Sequence, residues 1–93
     1  MMKQYTDEIQ TAKLIEFGFK KPKSIIDAWA YEKDIDIEYV YEYAYSIGEL
    51  IDMLGGVSEL EITRFGSGWG AYDDLRAFTS EELIDALYDM IIM

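Results

Sequence analysis

The chain has 93 residues, no cysteine and no histidine, and its 19 acidic side chains against 8 basic ones give a net charge of −11. The missing cysteines exclude disulfides, thiolate metal sites and cysteine nucleophiles, and the missing histidines remove the commonest acid–base catalyst near neutral pH. So anionic a surface disfavours direct binding to nucleic acid or to anionic membrane, both of which are polyanions.

This is one domain's worth of chain, residues 1–93, and 51% of it is apolar. Acidic composition alone can mean disorder, but two Trp, eight Tyr and four Phe argue for a packed core. The N-terminal "MMKQYTDEIQ" has no apolar h-region, so no signal peptide is expected, and no apolar run approaches the ~20 residues of a membrane span. The absence of cysteine fits a cytoplasmic location.

Thr6 to Phe17 reads as a first helix. Thr6 is placed as its cap, Asp7 and Glu8 complement the dipole, and Ile9, Ala12, Ile15 and Phe19 sketch its apolar stripe. Gly18 is the expected C′ residue, and Pro22 discourages continuation. Lys20, Lys21 and Lys23 form the only basic cluster, where cations complement a helix C-terminus.

Ser24 to Tyr31 is a first strand. Ile35 to Tyr45 is a second: Ile35, Ile37, Tyr39, Tyr41, Tyr43 and Tyr45 alternate with Asp36, Glu38, Val40, Glu42 and Ala44. Ser46 to Glu49 matches a capping box, followed by Ile47, Leu50, Ile51 and Leu54 at helical spacing, with Gly55-Gly56 as the stop. Ser58 to Phe65 alternates again, and "GSG" at 66–68 turns into a strand at Trp69–Tyr72. Thr79 to Glu82 reads as a second capping box, opening a helix with the stripe Ile84, Leu87, Tyr88, Ile91. The predicted order is α-β-β-α-β-β-α. Its fold class is α+β, an antiparallel sheet of three to four strands with two to three helices on one face.

Three segments, "TAKLIEFGFKKPKSI" (11–25), "YSIGELIDML" (45–54) and "SEELIDALYDMI" (80–91), together resemble a loose set of small uncharacterised proteins encoded on mobile elements and phages of gut bacteria. The resemblance covers less than half of the chain and implies an origin, with no activity attached.

Each candidate site has a plainer counterpart. Asp34, Asp36 and Glu38 suggest a cation site, but on a strand alternate side chains stand ~6.7 Å apart, too far for one hard cation to be gripped by all three. No metal and no cofactor is expected. The tyrosine row reads most simply as core beneath a helix, with Tyr39 and Tyr41 reaching outward more than Tyr45; the alternative is an aromatic partner surface. "FGSGWG" is read as a hairpin turn, since Asp73-Asp74 would repel phosphate. Carboxylate pairs such as Asp73-Asp74 and Glu81-Glu82 give no sign of a pocket, so no catalytic residue is assigned and no enzyme is expected.

The surplus of acids needs its own reading. Glu81, Asp85 and Asp89 follow at i, i+4 and i+8 with no lysine on their helix, an arrangement that costs local stability. Compositional drift is the plain explanation. The sharper one is a protein partner with a basic, nucleic-acid-binding groove, met by an acidic face of Asp34, Asp36, Glu38, Glu42, Asp73, Asp74, Glu81, Asp85 and Asp89 that imitates phosphate charge. Trp69 and Tyr72 are its aromatic anchors. The sequence therefore favours a non-enzymatic protein-binding domain, an inhibitor or decoy. The alternative is an adaptor that homodimerises through Tyr88, Met90, Ile92 and Met93 of its apolar C-terminal helix.

Overall fold

The computed structural model describes residues 2–55 and 60–93. Three helices and two small antiparallel sheets, one of two strands and one of three, make an α+β fold.

Helix α1 (Glu8–Glu16) is capped by Asp7, not Thr6: Gln10 N–H donates to Asp7 Oδ1 at 2.8 Å, and Asp7 N–H donates to Gln10 Oε1 at 3.0 Å. Thr6 is buried because it has another task. Its N–H donates to the Tyr45 carbonyl at 2.9 Å, and its Oγ1 accepts from Tyr45 N–H at 3.0 Å. The expected apolar stripe is also displaced. Ile9 is 80% exposed, and Leu14 is the helix's buried residue. Gln10 and Leu14, at i and i+4, share the inward face, and Gln10 Nε2 donates to Asp85 at 2.8 Å. A polar contact thus helps to choose which side of α1 turns inward. The helix ends as expected at Gly18, φ +100°, with Gly18 N–H donating to Ile15 and Phe19 N–H to Leu14. This is the Schellman pattern, sealed by Phe19 packing against the core.

Strands β1 (Ser24–Lys33) and β2 (Asp36–Ala44) form a long antiparallel hairpin joined by Asp34 and Ile35. Asp34 takes φ 56°, a left-handed conformation that Asp tolerates better than most residues. A bulge at Ile26 separates the Ser24–Ala44 and Ile25–Tyr43 pairs from Asp27–Glu42, Ala28–Tyr41 and Trp29–Val40.

Helix α2 (Ile47–Met53) has the expected Ser46–Glu49 capping box and buries Leu50. Ser58 and Glu59, expected to open the next strand, and Gly56, expected to help stop α2, lie outside the described residues. The second sheet is β3 (Glu61–Phe65), β4 (Gly68–Tyr72) and β5 (Ala77–Ser80), in that spatial order. Gly66, φ 54°, sits in the β3–β4 turn where the sequence placed a hairpin.

Strand β5 corrects the second predicted capping box. Thr79 and Ser80 are spent in the ladder with Gly70 and Trp69, so helix α3 (Leu83–Ile92) starts later, from Glu82, without a side-chain cap. The strand exists because Asp73 makes a tight turn before it. Its Oδ1 accepts from the Leu75 and Arg76 amides at 2.9 and 2.6 Å, and its own N–H donates to the Arg76 carbonyl.

The core gathers Leu83, Ile84, Ala86, Leu87 and Met90 of α3 with Leu14, Tyr45, Leu50, Leu54 and Ala71. Helix α3 packs against α2, β4 and β5, and we call this assembly the body. Among the described residues, no helix packs along β1–β2. The molecule is consequently elongated, 57 × 29 × 18 Å, and its radius of gyration is 16.0 Å where a compact chain of this length has ~12 Å. No helix among the described residues is long and apolar enough to cross a membrane.

Candidate protein-binding arm

The hairpin stands out from the body as an arm, and the pairing register sorts its side chains onto two faces. Residues directly opposite each other in an antiparallel pair point to the same side. One face therefore carries Ile37, Tyr39, Tyr41 and Tyr43 from β2, with Ile25, Ala28, Ala30 and Glu32 beside them on β1. The other carries Asp36, Glu38, Val40 and Glu42 with Asp27, Trp29, Tyr31 and Lys33.

The tyrosine row is not core. Tyr39, Tyr41 and Tyr43 are 63%, 47% and 44% exposed, and Ile35 at the tip is 97% exposed. Only Tyr45, where β2 enters the body, is buried, its hydroxyl donating to the Lys20 carbonyl at 2.5 Å. The reason is one of length. A nine-residue strand is ~30 Å long, whereas α2, with seven residues, is ~10 Å and cannot lie over it. Near the base, Tyr41 and Tyr43 share an open depression with Ile15 of α1 and with Lys21, Pro22 and Lys23. The rings of Tyr41 and Tyr43 lie 6.4 Å apart, tilted by 50°.

The opposite face is acidic and partly satisfied within itself. Tyr31 donates its hydroxyl to Glu38 Oε2 at 2.6 Å, a bond to a carboxylate that pushes the phenol above its ordinary range. Lys33 lies 3.7 Å from Glu38 Oε1. Asp27 faces Glu42 directly, a like-charge pair, and its Oδ1 accepts instead from the Ala28 amide at 2.8 Å. Six carboxylates and one lysine lie between residues 24 and 45.

The acids singled out in the sequence divide between arm and body. Asp34, Asp36, Glu38 and Glu42 stand on the arm and are exposed. Asp74 and Glu81 are exposed on the body. Asp73 and Asp85 have internal partners. Asp73 holds Arg76 at 2.9 Å, and hydrogen bonds led by the Leu75 amide keep its carboxyl below the usual range. Asp85 accepts from Lys3 Nζ at 2.9 Å as well as from Gln10. Asp89 is half-buried, and burial, reinforced by the Asp85 charge, raises its carboxyl. Among the described residues, no group of three or more acidic side chains is arranged to hold a metal ion.

The aromatic anchors also prove less free than expected. Trp69 packs against the core with Arg64 5.2 Å over its ring, and Tyr72 lies half-buried against Gly70. Of the C-terminal residues expected to self-associate, Met90 is instead buried in the core, Tyr88 and Ile92 are half-buried against it, and Met93 is 78% exposed. Sequence reasoning missed Trp29, Ile35 and Ile37 as exposed apolar residues. The length mismatch between strand and helix was the signal that could have found them. No protein family, curated protein or solved structure matches the chain.

Proposed function

We propose that this chain is a non-enzymatic acidic protein-binding domain that works in the cytoplasm and engages a basic protein surface with its β1–β2 arm. One observation carries the reading: an aromatic face of two-stranded sheet stands clear of the core. A two-stranded hairpin is marginal alone in water, and exposed apolar patches of this kind mark interaction sites. Tyrosine suits the role, since it offers a large apolar ring, a polar tip and little conformational freedom to lose.

The charge of the arm defines the class of partner. Asp36 and Glu38 on β2 stand about 6.7 Å apart, the repeat of alternate strand residues, and Glu42 follows two repeats on beyond Val40, on a chain whose net charge steers it toward cationic surfaces. The partner is a protein whose basic groove ordinarily holds nucleic acid, and the arm occupies that groove as a charge mimic. The acidic face supplies the encounter and the tyrosines the short-range grip.

Capture from a host lysate tests this. Wild type is compared with an aromatic variant (Tyr39→Ser, Tyr41→Ser) and a charge variant (Asp36→Asn, Glu38→Gln). A partner that leaves in moderate salt, is displaced by duplex DNA or RNA and is lost by both variants supports the proposal. A partner held equally by wild type and both variants sinks it.

A further inference from the structure

The outer edge of β1 is a second unpartnered feature of the arm. Strand β1 pairs with β2 on one side, and no described strand lies along its other side. Between the bulge at Ile26 and the turn at Asp34, regular strand runs from Asp27 to Lys33, with Ala30 at its midpoint. Ala28 N–H donates to the Asp27 carboxylate rather than into the ladder, so it points outward. Because direction alternates along a strand, the backbone groups of Ala30 and Glu32 point outward with it.

We propose that β1 pairs antiparallel with β1 of a second copy of this chain, about a two-fold axis at Ala30, joining two arms into one four-stranded sheet. In that register Asp27 lies opposite Lys33 of the second copy and Trp29 opposite Tyr31, and symmetry repeats both contacts. An opposite-charge pair and an aromatic pair are the stabilising partners of a sheet. Both fall at non-hydrogen-bonded positions, where opposed side chains approach most closely. Ala28 N–H exchanges its own Asp27 for the Glu32 backbone of the second copy, which frees Asp27 to meet Lys33. The turn of each arm ends level with Ile25 and Ile26 of the other, exposed residues that give Ile35 an apolar neighbour. The bodies lie at opposite ends of the joined sheet.

Other pairings fit worse. Setting β2 against β2 about Val40 opposes Glu38 to Glu42 twice, and sliding β1 by one residue opposes Asp27 to Glu32 and mismatches the faces. Chains of net charge −11 repel one another, so the two edge ion pairs decide whether contact is held. The dimer rests on the β1 edge alone and is independent of the binding role given to the tyrosines. Where both hold, the two tyrosine rows share one side of the sheet.

Sedimentation equilibrium across a concentration series at physiological salt tests this, with far-UV circular dichroism showing that each variant is folded. Wild type is expected to form dimers. Asp27→Lys and Lys33→Asp, each creating two like-charge contacts, are expected to weaken dimerisation roughly tenfold or more, and the double variant to restore it. Ala30→Pro removes an outward amide that the free arm does not use and is expected to abolish dimers. A wild type that stays monomeric throughout overturns the proposal. So does a dimer indifferent to Ala30→Pro, or one that the double charge swap fails to restore.

Discussion

Replacing Tyr39 and Tyr45 by alanine separates an uncovered arm from a strand packed into a core. The two residues share one face of the same strand run, six positions apart, yet Tyr45 is 1% exposed and Tyr39 is 63% exposed. Removing a fully buried aromatic side chain leaves a cavity and costs about 3–5 kcal/mol. Tyr45→Ala also strips the hydroxyl donor from the Lys20 carbonyl, which places it toward the upper end. Tyr39 faces Ala30, so its loss removes one cross-strand contact, about 0.2–1 kcal/mol. Urea denaturation of both variants reads the difference directly. With ~4–8 °C per kcal/mol in a domain of this size, Tyr39→Ala should lower the melting temperature by about 1–8 °C, while Tyr45→Ala should lower it by about 12–40 °C. Comparable losses from the two would refute the claim that the arm is uncovered.

Two carboxylates give opposite responses to pH. Asp89 is raised within the fold, by burial first and the Asp85 charge second, so the folded state binds its proton more tightly. The fold therefore loses stability as pH rises through the window above the ordinary aspartate value, and Asp89→Asn is expected to raise the melting temperature at pH 7 and lose that advantage in acid. Burial would raise Glu49 also, but hydrogen bonds from the Ser24 hydroxyl and the Lys23 and Ser46 amides outweigh it and hold the carboxyl low. Its contribution is complete at neutral pH and lost as pH falls below the ordinary glutamate value, so Glu49→Gln is expected to lower the melting temperature at pH 7 and not in strong acid. Melting curves of both variants from pH 3 to pH 7 check the signs, and parallel curves would contradict them. Gly68→Ala is expected to cost about 1–3 kcal/mol by denaturant titration, because a Cβ there would sit 2.9 Å from the Ser80 carbonyl oxygen and push β4 from β5.

Local chemistry was legible in the sequence wherever it acts within a few residues. The Ser46–Glu49 box, the Gly18 stop, the turn at Gly66 and the alternation of β2 all stand where the residues put them. Thr6 failed as a cap because a contact 39 residues away, with Tyr45, claims its hydroxyl. Ile9 failed as core because Gln10 and Lys3 reach Asp85, more than 70 residues on. Strand β5 was hidden by an Asp73 turn that looked like one more acidic pair, and by Thr79 and Ser80, residues as apt for a cap as for an edge ladder. The tyrosine row carried a correct period and an incorrect destination. Alternation reports that a strand has two different faces, and whether the apolar one is covered depends on the lengths of the helices available.

Excising the arm tests the account most directly. Residues 25–43 are replaced by Asn-Gly, a two-residue turn that closes a hairpin on the surviving Ser24–Ala44 pair. The shortened chain is expected to unfold cooperatively, with the near-UV signal of its body intact, and to capture no partner from lysate. A shortened chain that fails to fold would show that the arm belongs to the core, and one that still captures the wild-type partner would place binding elsewhere on the molecule.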